Sequence, residues 1–183
     1  AMDFPKTIHD FGGFPQALFN VQYPAPGNPV LAKQVTEMIH ATTVVEAHDW
    51  GLDHGTWTVI RHMYPDANIP VLQLSIDYTN GPQYHYDLEK ELFSLRKKGV
   101  LIIGSGNMVN NLRMVDWDKI NGPEYGYDWA LQLNEKFKSL ILTSDHQTLI
   151  FYENLGKEGL LAIPTTVHAL HLLYTHGLTY SNV

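Results

Sequence analysis

Apolar positions recur at helical spacing in some stretches of this chain and in short, nearly continuous runs in others. Asn28-Pro29 opens a predicted helix that runs to about Ala41. Asn can cap, Pro suits the first helical position, and Leu31, Val35, Met38 and Ile39 form the inner face. Tyr84, Leu88, Leu92 and Leu95 share one face of the clearest predicted helix, Pro82 to Lys98. Lys97 and Lys98 sit in its last turn and Gly99 stops it. Trp129, Leu133, Phe137 and Leu140 predict another helix from about Asp128 to Leu142. Shorter helices are predicted over Gln16 to Asn20, Thr56 to about Tyr64, and Asp145 to Leu155 before Gly156. A last one, capped by Thr165 or Thr166, reaches Thr175 before Gly177.

The nearly continuous runs predict strands. Ile69 to Ile76 and Val100 to Ile103 read as strands buried on both faces, and Thr42 to Glu46 as a short, weaker one. Strands alternating with helices predict an α/β fold, with a mainly parallel central sheet flanked by helices. No repeat or linker divides the chain, so residues 1–183 are expected to form a single domain. So few strands imply that part of a larger domain lies outside this sequence, or that a partner supplies part of the sheet.

The chain is long enough for a substantial core, and 44% apolar with 17% charged residues describes a folded protein. The formal charge is −7 and no basic stripe appears, so nucleic acid is not an expected partner. The longest apolar run is far short of a membrane span, so no membrane partner is expected either. Ala1 to Lys6 lacks a basic start followed by an apolar stretch, and the expected location is the cytoplasm. No Cys is present, which excludes disulfides, Cys-ligated zinc, iron–sulfur clusters and a Cys nucleophile. Any metal must be held by His, Asp or Glu, and ten His make a nitrogen/oxygen site worth weighing.

Two readings stand for each candidate. His54, between Asp53 and Gly55, is either a pocket-lining residue that touches substrate or relays a proton, or a histidine hydrogen-bonded locally where a helix starts. His9, beside Asp10, is a second candidate for the pocket wall. Asp53 reads as a cap or loop hydrogen-bonder. His168 and His171 lie three apart on a predicted helix and share a face, so either they form a metal pair, or His171 and His176 are incidental. His40, His48, His62, His85 and His146 are read as non-catalytic. Trp57, Trp117 and Trp129 are read as core or interface residues ahead of substrate stacking. Gly104-Ser-Gly106 after a run of β-formers lacks a following GK[ST], which sets nucleotide binding aside.

Several strings resemble one family. They are Ile8-His-Asp-Phe-Gly-Gly-Phe-Pro15, Tyr23-Pro-Ala-Pro-Gly27, Gly51-Leu-Asp-His-Gly-Thr-Trp57, Met63-Tyr-Pro65, GSGNMVNNLR from Gly104 to Arg113, and Pro164-Thr-Thr-Val-His168 with Leu172-Leu-Tyr174. In this order they resemble the class III (LigB-type) extradiol ring-cleaving dioxygenases, in the 4,5-DOPA dioxygenase-like subgroup. The resemblance implies the LigB-like fold and a metal-dependent enzyme that opens catechol-type aromatic rings with O2. It implies a divalent metal, Fe(II) or Zn(II), at a site resembling a four-His cluster.

Two of those four positions belong to GHGSP-like and SAHW-like motifs that do not occur here, which implies an N-terminally incomplete domain. A third, in GSGN-x-x-H-N-L, is Asn110 in this chain. Asn hydrogen-bonds but is a poor metal ligand and no base. The fourth resembles His168. The family's acidic residue before that His is Val167, and its Pro three residues on is His171.

The resemblance thus gives Asn110 at the site-histidine position and His168 as the retained metal position, and favours a site role for His54. His9 stands as a further catalytic-site candidate, and His171, where the family has Pro, as a second metal candidate by its spacing from His168. It leaves open an active dioxygenase, an inactive or truncated relative acting as a binding module, and a metal-assisted hydrolase using His168 and His171. A homo-oligomer is also expected, with a second copy covering open sheet edges.

Overall fold

A computed structural model describes residues 1–119, 121–165 and 167–176, with side chains for all of these but 167, 168, 174 and 176. The chain forms two compact units, Ala1–Ser75 and Ile76–Val183.

The first unit is held by loops around helices α1 (Gln16–Phe19), α2 (Pro29–Met38) and α3 (His54–Met63). The Asn28 side chain accepts the Leu31 N–H, so α2 starts where expected. It stops at Met38, short of Ala41, because Ile39 turns to extended backbone and is buried instead. Asp53 caps α3 by accepting the Thr56 N–H. A parallel bridge pairs Thr7 with Leu52. Ile8 donates to the Leu52 carbonyl at 2.7 Å, and Leu52 donates to the Lys6 carbonyl at 2.8 Å. The close approach depends on Gly51, where a Cβ would run into the Lys6 carbonyl. Tyr23, Ala25, Leu52, Trp57 and Ile60 make the core of this unit.

The second unit is helical. It contains α4 (Pro82–Leu92), α5 (Asp128–Leu142), α6 (His146–Ile150), α7 (Lys157–Ala162) and α8 (Val167–His176). The long helix expected over 82–98 is α-helical to Leu92 and then tightens into a 3-10 stretch, Phe93–Lys98. Gly99 ends it at φ +77°, a left-handed conformation that favours glycine. The α5 helix spans the residues its periodicity predicts, with Leu133, Phe137 and Leu140 inward. The helix expected over 145–155 is split into α6 and a 3-10 turn, Tyr152–Leu155. The α7 helix was not expected from the sequence. Leu149, Ile150, Tyr152, Ala162, Leu170 and Leu173 join the α5 residues in one core.

The sheet differs from expectation. Among the described residues the Thr7–Leu52 bridge is the one β pairing, and no ladder forms. The segments over 42–46, 69–76 and 100–103 carry no regular structure. Leu101 is 61% exposed and Ile69 44%, so burial on both faces is not met. An apolar run becomes a buried strand only when neighbours supply ladder partners and covering helices. Among the described residues these segments have no such partners. Trp57 is buried as expected, Trp129 packs at the rim of the second core, and Trp117 is exposed at the start of a 3-10 turn, Trp117–Lys119. No described helix is long and apolar enough to cross a membrane.

Candidate active site

The Thr7–Leu52 bridge sets the register that builds the site in the first unit. It lays Ile8-His9-Asp10 alongside Leu52-Asp53-His54. Trp57 locks the arrangement by donating its indole N–H to the Ile8 carbonyl at 2.9 Å. Asp53 serves the backbone: its carboxylate caps α3, and its own N–H donates to the Gln73 side-chain carbonyl at 3.0 Å.

His54 is the first residue of α3, and Asp10 faces it. One carboxylate oxygen, Oδ1, lies 2.9 Å from His54 Nδ1 and accepts the His54 backbone N–H at 3.0 Å. The pair is reachable from solvent, with 49% of the His54 side chain exposed. Burial pushes the Asp10 carboxyl up, but hydrogen bonds from the His54 backbone and imidazole outweigh it and hold the group below the usual carboxylate range.

His9 is placed differently. Its Nε2 donates to the Val21 carbonyl at 2.9 Å. Its ring packs 5.6 Å from Trp57 and 5.9 Å from Phe11. Phe11 stands edge-on to the His54 ring at 5.7 Å and meets Phe14 and Phe19. A carboxylate-held imidazole beside aromatic rings is an arrangement suited to proton transfer at an aromatic ligand.

The other candidate positions lie in the second unit. The Asn110 backbone N–H donates to the Ala162 carbonyl at 2.8 Å, and the Asn111 side chain donates to the Leu161 carbonyl at 2.7 Å. The GSGN loop is thus tied to the end of α7. His171 is half-buried on α8. His168 lies on the same helix, one turn before it, and its side chain is outside the described residues. A cleft of about 410 Å³ adjoins the loop, lined by Val109, Asn111, Met114, Tyr125, Tyr127 and Trp129.

Among the described residues no three His, Asp or Glu side chains converge as a metal needs. His9 has Nε2 committed to Val21 and His54 has Nδ1 committed to Asp10, so each offers at most one ring nitrogen. The described residues therefore do not fit a complete metal-ligand set. Sequence reasoning placed His9 and His54 in one region but missed Asp10 as the partner of His54. The only local signal was an acid beside His9. It also missed Tyr125 and Tyr127 at the cleft.

The comparisons with known proteins agree with this assignment of motifs. Residues 3–162 match the family model described as the catalytic LigB subunit of aromatic ring-opening dioxygenase. That span holds His9, Asp10, His54 and Asn110, and stops before α8. A 4,5-DOPA dioxygenase extradiol of Escherichia coli (strain K12) is 42% identical over 97% of this chain and 65% of its own length. One from Mirabilis jalapa is 33% identical over 96% of the chain and 65% of its own. The chain therefore spans 65% of the length of these curated relatives. The crystal structure of an uncharacterized protein from Escherichia coli K12 superposes with a TM-score of 0.76, at 34% identity, over 95% of this chain and 70% of that one. With the family motifs in order, a model matching most of the chain and a solved fold that follows it, the chain belongs to the LigB family of extradiol ring-cleaving dioxygenases.

Proposed function

We propose that this chain serves a metal-dependent extradiol dioxygenase that opens catechol-type aromatic rings with O2. The observation that carries the reading is the His54 imidazole held by Asp10 beside Phe11, inside the span that matches the family model. The substrate's ring lies against the Phe11 aromatic group, with His9 as pocket wall. His54 takes a proton from a catechol hydroxyl and returns it after ring opening. Asn110 holds a hydrogen-bonding place at the position of the family's site histidine.

A divalent metal, Fe(II) or Zn(II), would supply the O2 chemistry. His168, with His171 one turn away, would contribute to holding it, and two imidazoles alone do not complete a ligand set. Residues 1–183 read as part of one LigB-like domain, since the family match runs through both units. A homo-oligomer remains part of this reading, tested by sedimentation.

The deciding experiment measures the metal content of the purified protein, then O2 uptake with catechol or DOPA after Fe(II) loading. Iron bound in stoichiometric amount with ring-opened product is the expected result. Bound zinc without O2 consumption overturns the ring-cleavage reading and favours metal-assisted hydrolysis at His168 and His171.

A further inference from the structure

We propose that Asp10 is a positioning residue for His54: it takes both His54 N–H groups on one oxygen, fixes the imidazole proton on Nδ1, and leaves Nε2 as the proton acceptor. This deepens the role of His54 given above and rests on it where turnover is concerned.

The argument starts from what each atom can do. An ionised carboxylate only accepts hydrogen bonds, so the imidazole nitrogen 2.9 Å from Asp10 Oδ1 must carry hydrogen. The same oxygen receives the His54 backbone N–H at 3.0 Å. Two donors from one residue on one oxygen fix the ring's rotation as well as its tautomer. The carboxyl stays ionised well into acid, since these bonds hold it below its usual range. Phe11, edge-on at 5.7 Å, limits how far the ring can swing. A neutral ring protonated at Nδ1 has its lone pair on Nε2.

The proton balance is simple. The catechol O–H bond breaks, its electrons stay on oxygen, and the proton joins Nε2 to give an imidazolium. The Asp10 carboxylate, already against Nδ1–H, stabilises that charge until the proton is returned. A carboxylate that holds an imidazole and stabilises its cation is a known catalytic support.

The test has two readouts. Long-range 1H–15N spectra of the histidine rings report the tautomer of His54 in the neutral ring, with His54→Gln identifying its signal. We expect the Nδ1–H form in the wild type and a shift toward Nε2–H in Asp10→Ala, with the backbone amide spectrum checking the fold. A wild-type ring protonated at Nε2 overturns the proposal, whatever the variant does. A tautomer unchanged in folded Asp10→Ala overturns it too. In the Fe(II)-loaded protein, Asp10→Asn is expected to lower kcat by about 10²-fold with little change in KM. A kcat that does not fall overturns the positioning role. If the tautomer behaves as expected and the wild type opens no ring, the ring-cleavage reading falls while the positioning of His54 by Asp10 stands.

Discussion

Gly104 lies directly against the backbone carbonyl of His171. A Cβ at Gly104 would collide with that oxygen and come within 3.0 Å of Thr175 Cγ2. The first residue of the GSGN motif is therefore glycine because α8 passes over it. The loop is held at its other end by Asn110 and Asn111, bonded to the last turn of α7.

Gly104→Ala should overpack this contact, because the atom it meets is helix backbone and cannot swing aside. The expected cost is about 1–3 kcal/mol. Urea denaturation should show an earlier midpoint, and an unchanged midpoint would show that α8 does not sit against the loop.

Asp53 tests the difference between a cap and a catalytic acid. Its carboxylate accepts the Thr56 N–H at 3.1 Å at the start of α3. Asp53→Ala should cost about 0.5–2 kcal/mol of stability, and Asp53→Ser should restore most of it. Serine cannot replace a catalytic carboxylate, so activity restored together with stability would confirm the cap.

His54→Ala should lower kcat for ring opening by about 10²–10⁴-fold, the usual contribution of a positioned proton carrier. His9→Asn should act more on stability than on kcat, because His9 Nε2 is spent on the Val21 carbonyl. Steady-state kinetics on the Fe(II)-loaded protein, with melting curves for both variants, separates the two. A larger kcat loss for His9→Asn than for His54→Ala would reverse the assignment.

His85 gives a pH dependence. It is fully buried on α4 and bonded to the Asp77 carbonyl at 3.0 Å. Burial pushes its imidazole below the usual value, and the bonds to the Asp77 and Asn80 backbone and the Asp77 charge oppose this only in part. A lowered folded value means that the unfolded chain takes up the proton first as pH falls. The stability tied to neutral His85 is complete above the unfolded value of about 6.5 and is lost as pH falls toward the folded one. His146, also held low mainly by burial, adds in the same direction. Urea midpoints should therefore drop between about pH 7.5 and pH 5, and His85→Gln should flatten the change. Equal midpoints at both pH values would refute it.

What the sequence determined by itself is what a few neighbouring residues can encode. The periodicity of Leu133, Phe137 and Leu140 gives α5 whole. Asn28 and Asp53 are caps because their side chains reach an N–H three residues on. The family was legible because its motifs are strings. The tertiary structure decided the rest. Asp10 and His54 are 44 positions apart and share an oxygen only because the Thr7–Leu52 bridge fixes their register. The apolar run over 100–103 has strand chemistry, yet Leu101 and Ile103 lie exposed, and among the described residues no strand pairs with it. Local propensity reaches one turn along the chain, whereas a ladder, a dyad or a glycine contact depends on where distant backbone comes to lie.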